Sequence, residues 1–154
     1  MLFRSIQRCT VHKLRNLQSK APKKMHDELV EDYRRMVYAA SKEEADKERK
    51  AFVRKWKLRC SPVVTSLEEA GDELFTFLNF PASQWRALRT TNALERINLE
   101  FRRRTKTQAS LPSEDAVLLL LFGLLRSGNI KTRRMDGWQD MPKKTENDVR
   151  RKAA

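Results

Sequence analysis

Cysteine is scarce in this 154-residue chain: Cys9 and Cys60 are the only two, too few for a disulfide framework. Four glycines leave no glycine-rich phosphate loop, and no internal repeat appears. Aromatic residues make up 8%, and with glycine also rare the composition favours helix over sheet. Acid is missing from residues 1–26, which hold seven bases. Met1–Arg8 lacks the apolar segment of a secretory signal, and the acid-free start is read as only an imitation of an organelle transit peptide. The longest apolar run, the ten residues Ala116–Leu125, is too short to span a bilayer and reads as a buried helix. These absences exclude a secreted disulfide scaffold and a membrane protein, and point to one soluble domain in the cytoplasm.

What is abundant is positive charge, a net +13. Residues 27–83 hold ten bases and twelve acids, whereas 84–110 and 126–154 each carry +5. A near-neutral middle flanked by basic segments suits a polyanion partner.

The most informative stretch is Arg89–Thr107, where Leu94, Ile97 and Phe101 have the spacing of one buried helical face. Beside it Thr91, Glu95, Asn98 and Arg102 form a second line at helical spacing. One carboxylate therefore sits at the edge of a core-facing stripe, followed by Arg102, Arg103, Arg104 and Lys106. A lone acid in a phosphate-attracting neighbourhood is what metal-assisted chemistry on nucleic acid requires. The plainer alternative is a capping box, Asn92 with Glu95, in which the glutamate only ties down the helix start. A surface ion pair is excluded by spacing, since Asn98 and Leu99 follow Glu95 at three and four residues. Glu100 does meet Arg103 and Arg104 at those positions.

Elsewhere Phe3–Val11 is the only strand candidate. Pro22–Ala40 is predicted as a helix with a stripe at Leu29, Tyr33, Met36, Val37 and Ala40. Ser41 with Glu44 reads as a capping box for a helix to about Arg59, with Ala45, Phe52 and Trp56 on its apolar line. Ser61-Pro62 starts another helix ending near Gly71, and Asp72–Leu78 a further short one. Ser83–Leu88 leads into the central helix, and Ser113 caps the apolar one, which stops at Gly128. Cys9-x-x-His12 has the spacing of half a zinc site, but only Cys60 and His26 remain for a second pair.

The segment from Thr90 to Pro112 resembles the C-terminal signature of Mutator-type insertion-sequence transposases, the Asp-Asp-Glu class with an RNase H-like core. The resemblance continues through Gln7–His12, Leu14–Asn16, Trp56, Arg59-Cys60, Ser66–Ala70, Phe80-Pro81, Gln84-Trp85 and Asp136–Trp138, so it covers residues 6–138 in the family's order. It implies that Glu95 is the catalytic, metal-binding glutamate, that Cys9 and His12 form a signature near the active site, and that Mg²⁺ or Mn²⁺ serves the complete enzyme. It implies double-stranded DNA at transposon ends as partner. Arg89, Arg96, Arg102, Arg103, Arg104 and Lys106 are then candidates for holding phosphates, with about half expected to touch DNA.

By the same resemblance the fold is mainly α, with at most one or two short N-terminal strands. Residues 1–21 would be a last sheet strand and its following helix, 22–80 an all-α insertion, 81–128 the glutamate-bearing and apolar packing helices, and 129–154 a basic disordered tail. The family's two aspartates lie upstream of the Gln7–His12 segment. The chain is therefore expected to be the C-terminal part of a transposase, nucleoid-associated, inactive and without a tightly bound metal on its own. The rivals are a non-catalytic DNA-binding or regulatory remnant that pairs with full-length transposase, and a remnant that does not fold stably.

Overall fold

Helices α2 (His26–Val37) and α3 (Lys42–Arg59) form the pair around which the chain packs. The structure, a computed structural model, describes residues 6–106 and 113–141. Of the expected stripe Leu29, Tyr33, Met36 and Val37 are buried, whereas α2 ends at Val37 and leaves Ala40 exposed, with Ala39 buried in its place. Ser41 Oγ accepts from Glu44 N at 3.1 Å and caps α3, while the Glu44 carboxylate accepts from Ala40 N at 2.7 Å, one residue earlier than a strict capping box. Phe52 and Trp56 stack with ring centroids 5.8 Å apart and turn inward onto α2. Between the two helices lies Asp32, nearly buried. It accepts from the Trp56 indole at 3.0 Å and from Lys55 Nζ at 2.6 Å, and it pairs with Arg35.

Helix α4 (Ser61–Ala70) takes Pro62 in its first turn without losing a helical hydrogen bond, and Gly71 ends it at φ 54°, a conformation glycine adopts at little cost. It buries Val63, Val64, Leu67 and Ala70 against α3 and α1 (Thr10–Lys20). Leu17 brings α1 into the same core as α2–α4. Two buried polar contacts fix its position. Tyr33 Oη donates to Thr10 O at 2.8 Å, and Lys13 Nζ donates to Ser66 Oγ at 3.1 Å. Burial pushes the Tyr33 phenol up and the Lys13 ammonium down from their ordinary values.

The chain is mainly α, and no strand occurs among the described residues. Of the expected strand Phe3–Val11, residues 3–5 lie outside the described residues; Ile6–Cys9 makes no ladder and Thr10 already begins α1. The groups a neighbouring strand would satisfy are met by 3-10 turns at Gly71–Leu74 and Thr76–Asn79, which replace the predicted short helix. Arg8 N donates to Glu73 O at 2.9 Å, and the Gln7 amide bridges Leu74 O at 3.0 Å and Phe77 N at 2.7 Å.

After α5 (Ala82–Leu88) the backbone breaks at Arg89–Thr91 before α6 (Asn92–Thr105), and α7 (Glu114–Arg126) follows. Ser113 caps α7 by accepting from Ala116 N at 3.2 Å. Two expectations are overturned here. The stripe Leu94, Ile97, Phe101 is not a buried face, since α6 has no buried residue and Leu94 is 62% exposed. Helix α7 is not buried either, with Leu119 72% and Phe122 63% exposed. Periodicity identifies residues that favour cover; among the described residues that cover is not supplied.

Of the basic segment after residue 128, residues 129–141 belong to the described part. Ile130 is buried, and a turn at Trp138–Asp140 packs on α5. Gly137 sits at φ 70°, where a Cβ would lie 2.7 Å from the Ser83 backbone carbon. Its carbonyl accepts from Gln84 Nε2 at 3.2 Å. The rest of the expected tail, 142–154, lies outside the described residues. No helix among the described residues is long and apolar enough to cross a membrane.

Candidate carboxylate site at the α1–α6 junction

The start of α1 and the start of α6 are tied together by one carbonyl. Thr10 N and Thr10 Oγ1 both donate to Arg89 O at 2.9 Å. This anchor sets Cys9 and His12, one on each side of Thr10, against Thr91 and Glu95.

Thr91 occupies the N-cap position of α6, yet its hydroxyl caps no backbone N–H; it donates to Glu95 Oε1 at 2.7 Å. Asn92 is the first helical residue, so the Asn92–Glu95 capping box does not form. The Glu95 carboxylate remains half-exposed, and His12 Nε2 lies 3.6 Å from its Oε1. Burial alone would raise the Cys9 thiol. Hydrogen bonds with Thr91 and His12 outweigh that effect and hold its pKa at about 7, against an ordinary 9.0. Glu95 is thus held by the Thr91 hydroxyl with the His12 imidazole beside it, and the Cys9 thiol adjoins Thr91 and His12 without completing a three-ligand cluster.

As a metal site the junction is incomplete. Glu95 and His12 offer two donors, and among the described residues no three His, Cys, Asp or Glu side chains gather where they could hold an ion. A two-metal phosphoryl-transfer site needs a cluster of carboxylates that bridges both ions. The donor set of the described residues does not fit that requirement by itself. Nor do Cys60 and His26 add to Cys9 and His12: Cys60 Sγ donates to Lys20 O at 3.4 Å, and the His26 ring lies 3.0 Å from Ala21 O.

The candidate phosphate-binding bases divide into two sets. Arg96, Arg102 and Lys106 are exposed and make no ion pair among the described residues. Arg89, Arg103 and Arg104 are engaged within the chain. The Arg89 guanidinium lies 4.1 Å above the Tyr38 ring. Arg103 reaches Glu100 at 3.3 Å, and Arg104 pairs with Glu100 and donates to Asn129 O at 2.5 Å. The Arg104 hydrogen bond, with smaller contributions from the charges of Arg104 and Arg103, holds the Glu100 carboxyl below the usual range. The pairing read from spacing for Glu100 is realised.

Sequence reasoning missed two features. One is the contact of Thr91 with Cys9, which no spacing rule joins. The other is a cleft of about 780 Å³ beside α6, to which Arg86, Lys131, Arg133 and Arg134 contribute. The only available signal for it was the charge of residues 126–154. Several residues of the signature serve packing instead: Gln7 clamps the 3-10 turns, Gln84 holds Gly137, and the Trp85 indole donates to Phe80 O at 2.7 Å.

Comparison with known proteins relates this chain to transposases. The transposase of insertion sequence IS905 from Lactococcus lactis is 34% identical over 125 residues, covering 81% of this chain and 32% of that protein. The IST2 transposase of Acidithiobacillus ferrooxidans is 34% identical, covering 78% of this chain and 40% of its own length. The ISRM5 transposase of Rhizobium meliloti is 33% identical, covering 77% and 30%. A family model described as transposase, Mutator family, matches residues 3–132. The chain belongs to the Mutator family of transposases, and it spans about a third of the length of these relatives.

Proposed function

We propose that this chain acts in DNA transposition, supplying Glu95 as one carboxylate of the metal-binding set with which a transposase cleaves and transfers DNA strands. The observation that carries the reading is the state of Glu95: half-exposed, not used as a helix cap, oriented by Thr91 and adjacent to His12. Since Glu95 and His12 are too few to hold the two ions, the other carboxylates would come from outside the described residues, and this chain alone neither nicks nor joins DNA. In this reading residues 22–80 are the helical insertion and 81–128 carry the glutamate helix and the apolar helix. Arg96, Arg102 and Lys106 hold phosphates of the double-stranded DNA.

The test is a chimera in which residues 6–138 replace the corresponding part of an active relative. It should cleave transposon ends with Mg²⁺ or Mn²⁺, and Glu95→Gln should abolish cleavage while DNA binding persists. Cleavage that survives Glu95→Gln but not Glu100→Gln would assign the role to the other carboxylate. A second reading, a non-catalytic chain that pairs with full-length transposase, is favoured by the uncovered Leu119 and Phe122 of α7. Added to an active relative, such a chain would change transposition frequency whether or not it carries Glu95→Gln.

A further inference from the structure

The cleft beside α6 has a chemistry that the carboxylate junction does not explain. Its volume of about 780 Å³ lies in the range, about 300–1,000 Å³, of sites that hold one small ligand. Six cationic side chains and two carboxylates line it. Both acids are neutralised within the chain, Glu100 by Arg103 and Arg104, and Asp136 by Arg86 at 3.6 Å. Arg96, Lys131 and Arg133 make no ion pair among the described residues, so the lining is positive in effect. Val11, Ala93, Ile97 and Ile130 add apolar surface.

Flat surfaces at the cleft point to the occupant. Tyr38 is 61% exposed with the Arg89 guanidinium 4.1 Å above its ring, and Arg134 lies 4.4 Å over the ring of Trp138. Stacked arginine and aromatic planes beside unpaired cations are the means by which proteins hold bases and phosphates of a single strand. The cleft also shares α6 with Glu95: Asn92, Ala93 and Arg96 line it, and Val11 lies next to His12.

The geometry points to a binding site for unpaired nucleotides of a DNA end, held by the cleft while the adjoining duplex lies along the basic face of α6. This rests on the transposition reading and names the form of DNA taken at that site. The site recognises strand state rather than sequence, because cations and stacking planes read phosphates and π-faces.

Fluorescence anisotropy of the 154-residue chain with a labelled duplex, blunt or carrying a short single-stranded extension, tests it. The extension should strengthen binding at least about fivefold, and Tyr38→Ala should remove that gain while leaving blunt-duplex affinity within about twofold. Ala93→Trp, which fills the cleft from an exposed position, should act likewise, with helical circular dichroism unchanged in both variants. Equal binding of blunt and extended duplexes, or a gain that survives both substitutions, would overturn the single-strand site and leave the transposition reading standing. Failure to bind either duplex would overturn both.

Discussion

Thr91 touches both halves of the carboxylate junction: its hydroxyl donates to Glu95, and hydrogen bonding from Thr91, its backbone included, is among the causes that hold the Cys9 thiol low. In a Cys60→Ser background the alkylation rate of Cys9 should rise with a midpoint near pH 7, and Thr91→Val should move that midpoint upward toward 9. A midpoint that ignores Thr91→Val would show that the thiol is not tuned by this contact. The linked stability follows from the sign of the shift. Because the folded thiol is the more acidic, its thiolate contributes fully above about pH 9, and the contribution is lost as pH falls through about 7. Sequence placed Thr91 and Glu95 on one helical line and left open whether Glu95 was a cap. It could not bring in Cys9, because that contact depends on Thr10 meeting Arg89 O across the fold.

At the scale of elements, α2 and α3 were legible because their stripes are complete and each faces the other. What periodicity could not show is the charge between them. Asp32 reads as one acid in a polar helix, yet it is 7% exposed and accepts from Trp56, Lys55 and Arg35. Asp32→Ala leaves the Trp56 indole unsatisfied and takes the carboxylate from Arg35 and Lys55, of which Lys55 keeps Glu28 at 2.8 Å. Lys55 and Arg35 are partly exposed and recover water, so the loss should be about 1–3 kcal/mol, read as a lower urea midpoint. Asp32→Asn, which still accepts from the indole, should cost less than Asp32→Ala. Equal losses would show that the charge and not the indole bond governs. The strand at Phe3–Val11 failed for a different reason. β-branched residues mark a segment that can pair, but pairing needs a second strand, and the acceptors near Gln7 and Arg8 are turn carbonyls.

Over the whole molecule the apolar surface divides unequally. Helices α1–α4 share one core centred on Trp56, Leu17 and Leu29, whereas α6 and α7 contain no buried residue. Local stability follows buried contacts, so backbone amides of α2 and α3 should exchange with solvent far more slowly than those of α6 and α7. The composition of Ala116–Leu125 made an apolar helix certain, but its cover depends on surfaces that the run itself does not encode. Substitution tests this directly. Leu119→Lys with Phe122→Lys replaces side chains that are 72% and 63% exposed, so the denaturation midpoint of the α1–α4 core should stay within about 0.5 kcal/mol of the parent. The same change should sharply reduce binding of a hydrophobic dye, because it removes the centre of the exposed patch. A loss of core stability well above that margin would mean that α7 packs on the core in solution. Unchanged dye binding would place the exposed apolar surface elsewhere, on Leu94 and Leu99 of α6.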